Sequence, residues 1–128
     1  MNILVVDNDE NTVETFKAAL SGVPDYKIDV AYGGKQTLDK IRADTSYNLI
    51  ILDIMMPEIS GIDVCKSMCQ DEKLKNIPVL LVSALPIAST AFQESLGKLN
   101  ELSVIKDVLE KPVEIDNLLA KVKAILDK

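Results

Sequence analysis

Short apolar runs alternate along the chain with stretches in which apolar residues recur at helical spacing. The clearest runs are rich in β-branched residues and have no internal alternation, which is typical of strands buried on both faces. We therefore predict five strands. Three are clear, namely Ile3–Val6, Leu49–Leu52 and Val79–Val82, and two are less distinct, namely the more alternating Ile28–Ala31 and the short run Val108–Leu109.

The stretches between these runs carry apolar residues on one helical face. They predict five helices, which include Val13–Leu20, Leu38–Ile41, Ile62–Cys69, Ser89–Leu102 and Ile115–Leu126. Gly22 and Pro24 end the first helix, and Gly97 interrupts the fourth. Strict alternation of strands and helices predicts a parallel sheet with helices on both of its faces.

The composition is that of one globular domain, which we expect to occupy residues 1–128. There are 14 basic and 20 acidic residues, a net charge of −6, and no basic run, so binding to nucleic acid or an anionic membrane is disfavoured. No apolar run approaches the length of a membrane span. The first run is too short for a signal peptide and no Lys or Arg precedes it, so we expect a cytoplasmic protein.

The chain contains no histidine. This excludes a histidine general base, Ser-His or Cys-His nucleophiles and His-ligated zinc. The two cysteines, Cys65 and Cys69, share one face of a predicted helix. We interpret them as small apolar side chains, because two thiols make neither a zinc site nor a disulfide framework.

Polar residues follow the predicted strands at their carboxyl ends, which meet at one edge of a parallel sheet. The first strand is followed by Asp7, Asn8, Asp9 and Glu10. In chain order, the third strand is followed by Asp53, the fourth by Ser83 and the fifth by Lys111. Each has a structural interpretation; Asp9, for example, could cap the first helix. That interpretation is weakest for Asp53, because it follows four apolar residues and burial penalises an unpaired charge.

Neighbouring carboxylates either take up a proton or bind a cation. A small set of oxygen donors suits Mg²⁺, which retains several waters and accepts phosphate oxygens. A carboxylate nucleophile, Mg²⁺ and a cationic side chain are the groups that phosphoryl transfer to an aspartate would use.

With these residues the sequence resembles the response-regulator receiver domains, the CheY-like phosphoacceptors of two-component signalling. The resemblance covers essentially the whole chain and rests on Ile3–Asp7, on the D-x-x-M-P-x-x-x-G pattern formed by Asp53, Met56, Pro57 and Gly61, on Ser83-Ala84 and on Lys111-Pro112. It implies a single flavodoxin-like sheet of five parallel strands in the order 2-1-3-4-5, with five helices on its two faces.

The resemblance also implies roles for these residues. Asp53 would accept a phosphoryl group from a phosphohistidine on a sensor histidine kinase or phosphotransfer protein. Lys111 would pair with Asp53 and then with the phosphoryl oxygens, and its bond to Pro112 would be cis. Ser83 would donate its hydroxyl and draw its loop inward, switching the face formed by the fourth helix and fifth strand for an output partner or a second phosphorylated copy. The protein would promote its own phosphorylation without turning over a substrate.

The implied cofactor is Mg²⁺, held by Asp7, by Asp53 and by the backbone carbonyl of Met55. Asn8 stands where the family has a second acid, and Asp9 is a further candidate ligand. A neutral amide oxygen can ligate, but one negative charge fewer predicts weaker Mg²⁺ binding, which Asn8→Asp should tighten.

Three further departures from the family pattern carry expectations. Val108 replaces the aromatic residue that swings inward on phosphorylation, so the signal should pass through the Ser83 loop or another element. Val104-Ile105 replaces the family's Gly-Ala ahead of the fifth strand. The connection from Ser83 to Lys111 is also longer than is usual in the family, which predicts an altered partner surface on the fourth helix. Met55 and Leu85 flank the path of the hydrolytic water and predict a long-lived acyl phosphate, because apolar side chains neither orient nor favour water.

Two alternatives remain open from the sequence. A pseudo-receiver, which has the fold but is not phosphorylated, is favoured by Asn8 and Val108. A haloacid-dehalogenase-like phosphatase would use Asp7 as nucleophile and Asp9 as acid-base, but Asn11 stands where that family has Thr or Val, and the chain is short for its fold.

Overall fold

A parallel five-stranded sheet forms the centre of the protein in a computed structural model that describes residues 1–86, 89–90, 94 and 102–127. All paired strands are parallel and lie in the order β2-β1-β3-β4-β5. The predicted sheet and its strand order are therefore confirmed. The strands are β1 (Asn2–Val6), β2 (Lys27–Ala31), β3 (Leu49–Asp53), β4 (Val79–Ser83) and β5 (Ile105–Glu110).

Within the described residues the sheet is covered by four helices rather than the five expected. These are α1 (Glu10–Ser21), α2 (Gly34–Ala43), α3 (Gly61–Cys69) and α4 (Ile115–Leu126). The additional helix predicted over 89–102, with its altered partner surface, falls almost entirely outside the described residues. No helix in the described part of the chain is long and apolar enough to cross a bilayer.

The fifth strand is longer than the two-residue run that the sequence indicated. It spans Ile105–Glu110 and lies at one edge of the sheet, where Lys106 is exposed and Asp107 is half-buried. Asp107 pairs with Lys121 of α4 at 2.7 Å. An edge strand tolerates such polar positions, and these positions interrupt the apolar pattern from which a strand is predicted.

The two faces of the sheet support separate hydrophobic cores. Strands β3 and β4 are buried at every residue, so their successive side chains supply both cores. On one face Leu4, Ile50 and Leu81 pack with residues of α2 and α3. On the other face a second set packs with α1 and α4; it includes Ile3, Val5, Ile51, Leu80, Val13, Phe16, Leu118 and Val122.

The cysteines belong to the first of these cores. Cys65 is fully buried in it and Cys69 is half-buried against it, and both are free thiols. Burial raises the pKa of the Cys65 thiol to about 12, so this group stays protonated and packs as a small apolar side chain.

Candidate functional site

The strand register brings the predicted site residues to the carboxyl edge of the sheet. Val6 of β1 pairs with Leu52 of β3, so Asp7 and Asp53 follow neighbouring strands at the same level. Both carboxylates are buried, with residue exposures of 2% for Asp7 and 3% for Asp53. Two acids that are almost completely enclosed need a cation, a proton or hydrogen-bond donors.

Lys111 supplies a cation to this pair. It follows the last residue of β5, and its backbone N–H donates to the carbonyl of Ser83 at 2.7 Å, which fixes its position beside β4. Its Nζ lies 2.8 Å from Asp7 Oδ2 and 3.7 Å from Asp53 Oδ1. The expected proximity to Asp53 is observed, but the shorter contact is to Asp7. The bond to Pro112 is cis, as expected.

The electrostatics of the pair reflect an excess of negative charge. Burial, followed by the charge of Asp7, raises the pKa of Asp53 to about 6, while Lys111 and the Met55 N–H act in the opposite direction. Burial by itself would lower the pKa of Lys111, but its hydrogen bond to Asp7 and the charges of Asp53 and Asp7 raise it. The ammonium is therefore firmly charged, while Asp53 loses its proton near the physiological range.

The loop from β3 to α3 is held close to Asp53 by a glycine. A Cβ on Gly61 would lie 2.3 Å from the carbonyl oxygen of Asp53, so only glycine fits at this approach. The N–H of Gly61 donates to the carbonyl of Ile54 at 2.9 Å. The glycine of the D-x-x-M-P-x-x-x-G pattern thus positions the acid at the start of that pattern.

A strained turn lies within the same loop. Ile59 N–H donates to the carbonyl of Pro57 at 2.8 Å, and the residue between them, Glu58, has a φ of 68°. This is a γ-turn, and a positive φ is unfavourable for a residue with a side chain. No apolar spacing or local motif in the sequence indicated this turn.

Ser83 is completely buried at the end of β4, and its hydroxyl is engaged within its own loop. Its Oγ accepts the N–H of Leu85 at 3.0 Å and donates to the carbonyl of Leu85 at 3.0 Å. The sequence placed Ser83 at this edge, but it did not indicate that Leu85 would hold the hydroxyl.

The oxygen donors at this edge fit Mg²⁺. Asp7 and Asp53 offer two buried carboxylates, and Met55 follows closely, since its N–H lies 3.4 Å from Asp53 Oδ1. In the described residues no group of three or more His, Cys, Asp or Glu side chains could hold a metal. One or two carboxylates completed by waters and phosphate oxygens are characteristic of Mg²⁺ rather than of a full protein cage. Asn8 is exposed beside them.

Asp9, the further candidate ligand, has a structural task. Its Oδ1 accepts the N–H of Asn11 at 2.9 Å and its Oδ2 accepts the Thr12 hydroxyl at 3.3 Å, so it is the N-cap of α1. A metal bound to Asp9 would compete with these cap bonds, which stabilise a helix by about 1 kcal/mol. An acid followed directly by the α1 sequence is the local signal for this cap.

An open groove of about 520 Å³ lies beside Lys111, between the start of α1 and the connection from β5 to α4. Most of the surface that lines it belongs to apolar atoms. The lining residues are Asn11, Thr12, Thr15, Phe16, Lys111, Pro112 and Val113. No pattern in the sequence indicated this groove, because its two walls are distant along the chain.

The fold and this site together define a flavodoxin-like α/β protein with a buried acid pair in contact with one lysine. The family model described as "Response regulator receiver domain" matches residues 3–123. The chain belongs to this family.

Individual proteins show the same relationship. The chain is similar to the response regulator ArlR of Staphylococcus haemolyticus, with 31% identity over 126 residues, which is 98% of this chain and 52% of that protein. It is also similar to the solved structure of a two-component response regulator from Clostridium difficile (30% identity, TM-score 0.83, covering 100% of this chain and 97% of that one).

A third similarity is to the receiver domain of the Francisella response regulator 1452 (29% identity, TM-score 0.81, covering 98% and 96%). The chain spans about half the length of the curated relatives it matches. It is a receiver domain of a two-component response regulator, a class of signalling protein. Such domains interact with histidine kinases or phosphotransfer proteins and generally bind Mg²⁺ for their phosphorylation.

Proposed function

We propose that this chain is an active phosphoacceptor, a single receiver domain over residues 1–128 that takes a phosphoryl group onto Asp53 from a phosphohistidine. The observation that carries the proposal is the buried pair Asp7 and Asp53 with the Lys111 ammonium 3.7 Å from the acceptor carboxylate. A purely structural core would gain from replacing these charges with apolar side chains, so their retention favours a chemical role.

In the proposed reaction an Asp53 carboxylate oxygen attacks the phosphorus atom of the donor. The new O–P bond forms as the N–P bond of the phosphohistidine breaks, and the electron pair of that bond leaves with the imidazole, which takes up a proton. The product is an aspartyl phosphate. Because the attacking group is the ionised acid, the pKa of about 6 for Asp53 leaves most molecules competent near neutral pH.

Two side chains and a bound cation would stabilise the charge that develops in this step. Lys111 pairs with phosphoryl oxygens, and Ser83 donates its hydroxyl to them after leaving Leu85. Asp7 with Asp53 and the Met55 carbonyl would hold Mg²⁺, which when bound supplies positive charge to the transferring group. Asn8 contributes at most a neutral oxygen to that set.

The partners follow from the chemistry. The donor is a sensor histidine kinase or a phosphotransfer protein, and an open groove lies beside Lys111 on the α1 side. The output passes through the Ser83 loop and the face that includes β5, to a partner protein or to a second phosphorylated copy. The protein itself is phosphorylated and then dephosphorylated in this cycle, so it is not an enzyme with a separate substrate.

The test is phosphorylation by a small donor. The chain is incubated with acetyl phosphate and Mg²⁺, and its intact mass is recorded. We expect the mass to rise by one phosphoryl group in the wild type and in Asp39→Asn, an exposed acid that serves as control. We expect no rise in Asp53→Asn. A wild-type mass that does not change, with both acetyl phosphate and phosphoramidate, would establish the pseudo-receiver instead.

Turnover of p-nitrophenyl phosphate distinguishes the phosphatase alternative from the phosphoacceptor. A phosphatase would show activity that Asp7→Asn abolishes and Asp53→Asn leaves intact. The cap bonds of Asp9 argue against it, because an acid-base residue needs its carboxylate free to exchange a proton.

A further inference from the structure

The first residue of α2 lies directly against the loop that follows β3. A Cβ on Gly34 would lie 2.7 Å from three atoms of Ile59, namely its Cβ, its Cγ2 and its backbone oxygen. Two of these atoms cannot turn away as the tip of a long side chain could. Because packed atoms do not tolerate such an overlap, any side chain at position 34 must displace either the helix or the loop.

The helix is the better anchored of these two neighbours. Leu38 and Ile41 of α2 are buried in the first core. The Lys40 ammonium lies 3.1 Å from Asp29 Oδ1 and ties α2 to β2. In the loop, Ile59 is only half-buried and the two residues before it are exposed. Overlap at position 34 would therefore move the loop, since fewer packed contacts resist its displacement.

The loop is in turn in backbone contact with the end of β3. Gly61, two residues after Ile59, has space for no Cβ against the carbonyl oxygen of Asp53, and its N–H donates to the carbonyl of Ile54 at 2.9 Å. Met55 lies between these contacts, with its N–H 3.4 Å from Asp53 Oδ1. A displacement of Ile59 is thus carried along a short, closely packed backbone path to the acceptor carboxylate.

The structure assigns Gly34 the role of a positioning residue for the phosphorylation of Asp53. It contributes no group to the site and acts through Ile59: its missing side chain lets α2 set the resting place of the β3–α3 loop, and with it the Asp53 carboxylate and the Met55 carbonyl. The inference rests on the proposed function, because it adds a residue that serves the same site. It gives α2 a part in the reaction, although no side chain of α2 lies among the proposed site residues.

The first test is the rate constant of phosphorylation by acetyl phosphate at saturating Mg²⁺, followed by intact mass. We expect Gly34→Ala to react about tenfold more slowly than the wild type, because a small misplacement of reacting groups has a large effect on rate. Gly33→Ala is the matched control, since a Cβ at Gly33 would meet no atom within 4 Å. It should react within about twofold of the wild type. Equal rates for the two alanine variants overturn the proposal.

A second control separates positioning from a general loss of stability. Ile41→Val removes a methyl group from a fully buried residue of the same helix and should lower the urea midpoint of unfolding. Because it leaves the contact at Gly34 intact, we expect it to be phosphorylated at the wild-type rate under conditions in which the protein is folded. A reaction slowed as much in Ile41→Val as in Gly34→Ala would show that only stability is involved.

The same substitution can be made in a background with more space, which also covers a Gly34→Ala variant that does not fold. Ile59→Gly removes two of the three atoms that the new Cβ would meet. We expect Gly34→Ala to slow phosphorylation by no more than about threefold relative to Ile59→Gly alone, since contact residues are energetically coupled. A full tenfold loss in this background would mean that Ile59 does not carry the effect.

Hydrogen exchange gives a readout that needs neither a donor nor a metal. We expect the Gly61 amide to exchange several-fold faster in Gly34→Ala than in Gly33→Ala, because the displaced loop no longer holds it at the Ile54 carbonyl. If Gly61 responds in this way but Asp53 of the wild type is never phosphorylated, the positioning stands and the proposed function is wrong. If Asp53 is phosphorylated and the two alanine variants react and exchange alike, the positioning is wrong and the function stands.

Discussion

Asp53 is the residue in which the conflict between stability and chemistry is greatest. Its carboxylate is 3% exposed and faces a second buried acid, and these two conditions raise its pKa to about 6. The folded protein therefore binds a proton at Asp53 more tightly than the unfolded chain, whose reference pKa is 3.8. Under linkage, the free energy of unfolding falls as the pH rises through this window, so an ionised Asp53 is a cost to the fold at neutral pH.

This cost gives the first prediction at the residue scale. We expect Asp53→Asn to raise the free energy of unfolding by about 1–3 kcal/mol at pH 7.5 in the presence of a chelator. The advantage should shrink as the pH falls from about 6 to about 4 and vanish below that, where the wild-type acid is protonated in both states. Urea unfolding at several pH values measures it. Asp39→Asn, which removes an exposed acid, is the control; an equal gain there would mean that general charge repulsion is responsible.

A second residue-scale prediction concerns the lifetime of the acyl phosphate. Met55 is 53% exposed near Asp53, and Leu85 is half-buried, so neither side chain offers a polar atom that orients water. We expect Met55→Asn combined with Leu85→Glu to shorten the lifetime several-fold, measured by intact mass after the donor is removed. The apolar exchange Met55→Leu with Leu85→Met should preserve it. A lifetime that is the same in all three proteins would show that these positions do not control water access.

At the scale of elements, the loop from β3 to α3 is the most constrained connection of the site. Gly61 approaches the Asp53 backbone more closely than any side chain would permit, and α2 meets the same loop at Gly34, where a Cβ would lie 2.7 Å from Ile59. The two contacts hold the loop from both sides. Strain at Glu58 is tolerated within this frame because the surrounding contacts fix the backbone.

This strain can be measured. We expect Glu58→Gly to raise the free energy of unfolding by about 1 kcal/mol. Glycine removes the cost of the positive φ, and the higher entropy of its unfolded chain offsets only part of that gain. The same exchange at Glu14, an exposed position in α1, should lower stability by about 1 kcal/mol. Chemical denaturation compares the two. A loss of stability in Glu58→Gly would mean that its side chain contributes more than its backbone costs.

The two edge strands carry similar charged pairs. In β2, Asp29 accepts the N–H of Val30 at 2.9 Å and the ammonium of Lys40 at 3.1 Å. In β5, Asp107 accepts the N–H of Val108 at 2.8 Å, and Lys121 lies 2.7 Å from its other oxygen. Each pair engages a backbone donor and places charge on an edge, which disfavours the addition of another strand.

At the scale of the whole molecule, the question is how a charge added at Asp53 changes a distant surface. Ser83 is the natural relay, because its hydroxyl is tied to Leu85 and its carbonyl accepts the backbone N–H of Lys111. Val108, which replaces the usual aromatic residue, is half-buried against the core and has too short a side chain for a large swing. The signal should therefore pass through the loop after β4.

Hydrogen exchange can follow this relay. Phosphorylation of the wild type should accelerate exchange at the Leu85 amide, because Ser83 releases it to reach the phosphoryl oxygens. In Ser83→Ala the amide should exchange fast from the start and respond little, although Asp53 is still phosphorylated. Ser103→Ala, at an exposed position, should behave as the wild type. Unchanged protection of Leu85 on phosphorylation of the wild type would contradict the relay.

The sequence by itself determined the central strands and the edge of the sheet at which the chemistry lies. Strands such as β3 and β4 are buried on both faces, so each consists mainly of an unbroken apolar run. Such a run can be recognised from the sequence alone. Parallel strands bring their carboxyl ends together whatever the loops do, so Asp7, Asp53 and Lys111 were predicted as neighbours. The edge strand β5 was seen only in part, because its exposed polar positions break the pattern.

Only the tertiary structure decided which groups touch. It placed Lys111 closer to Asp7 than to Asp53 and tied the Ser83 hydroxyl to its own loop. These choices depend on differences of about an ångström in how loops close over the sheet. Hydrophobic periodicity reports which side of an element is buried, and it carries no information on which of two nearby acids a flexible ammonium will bind.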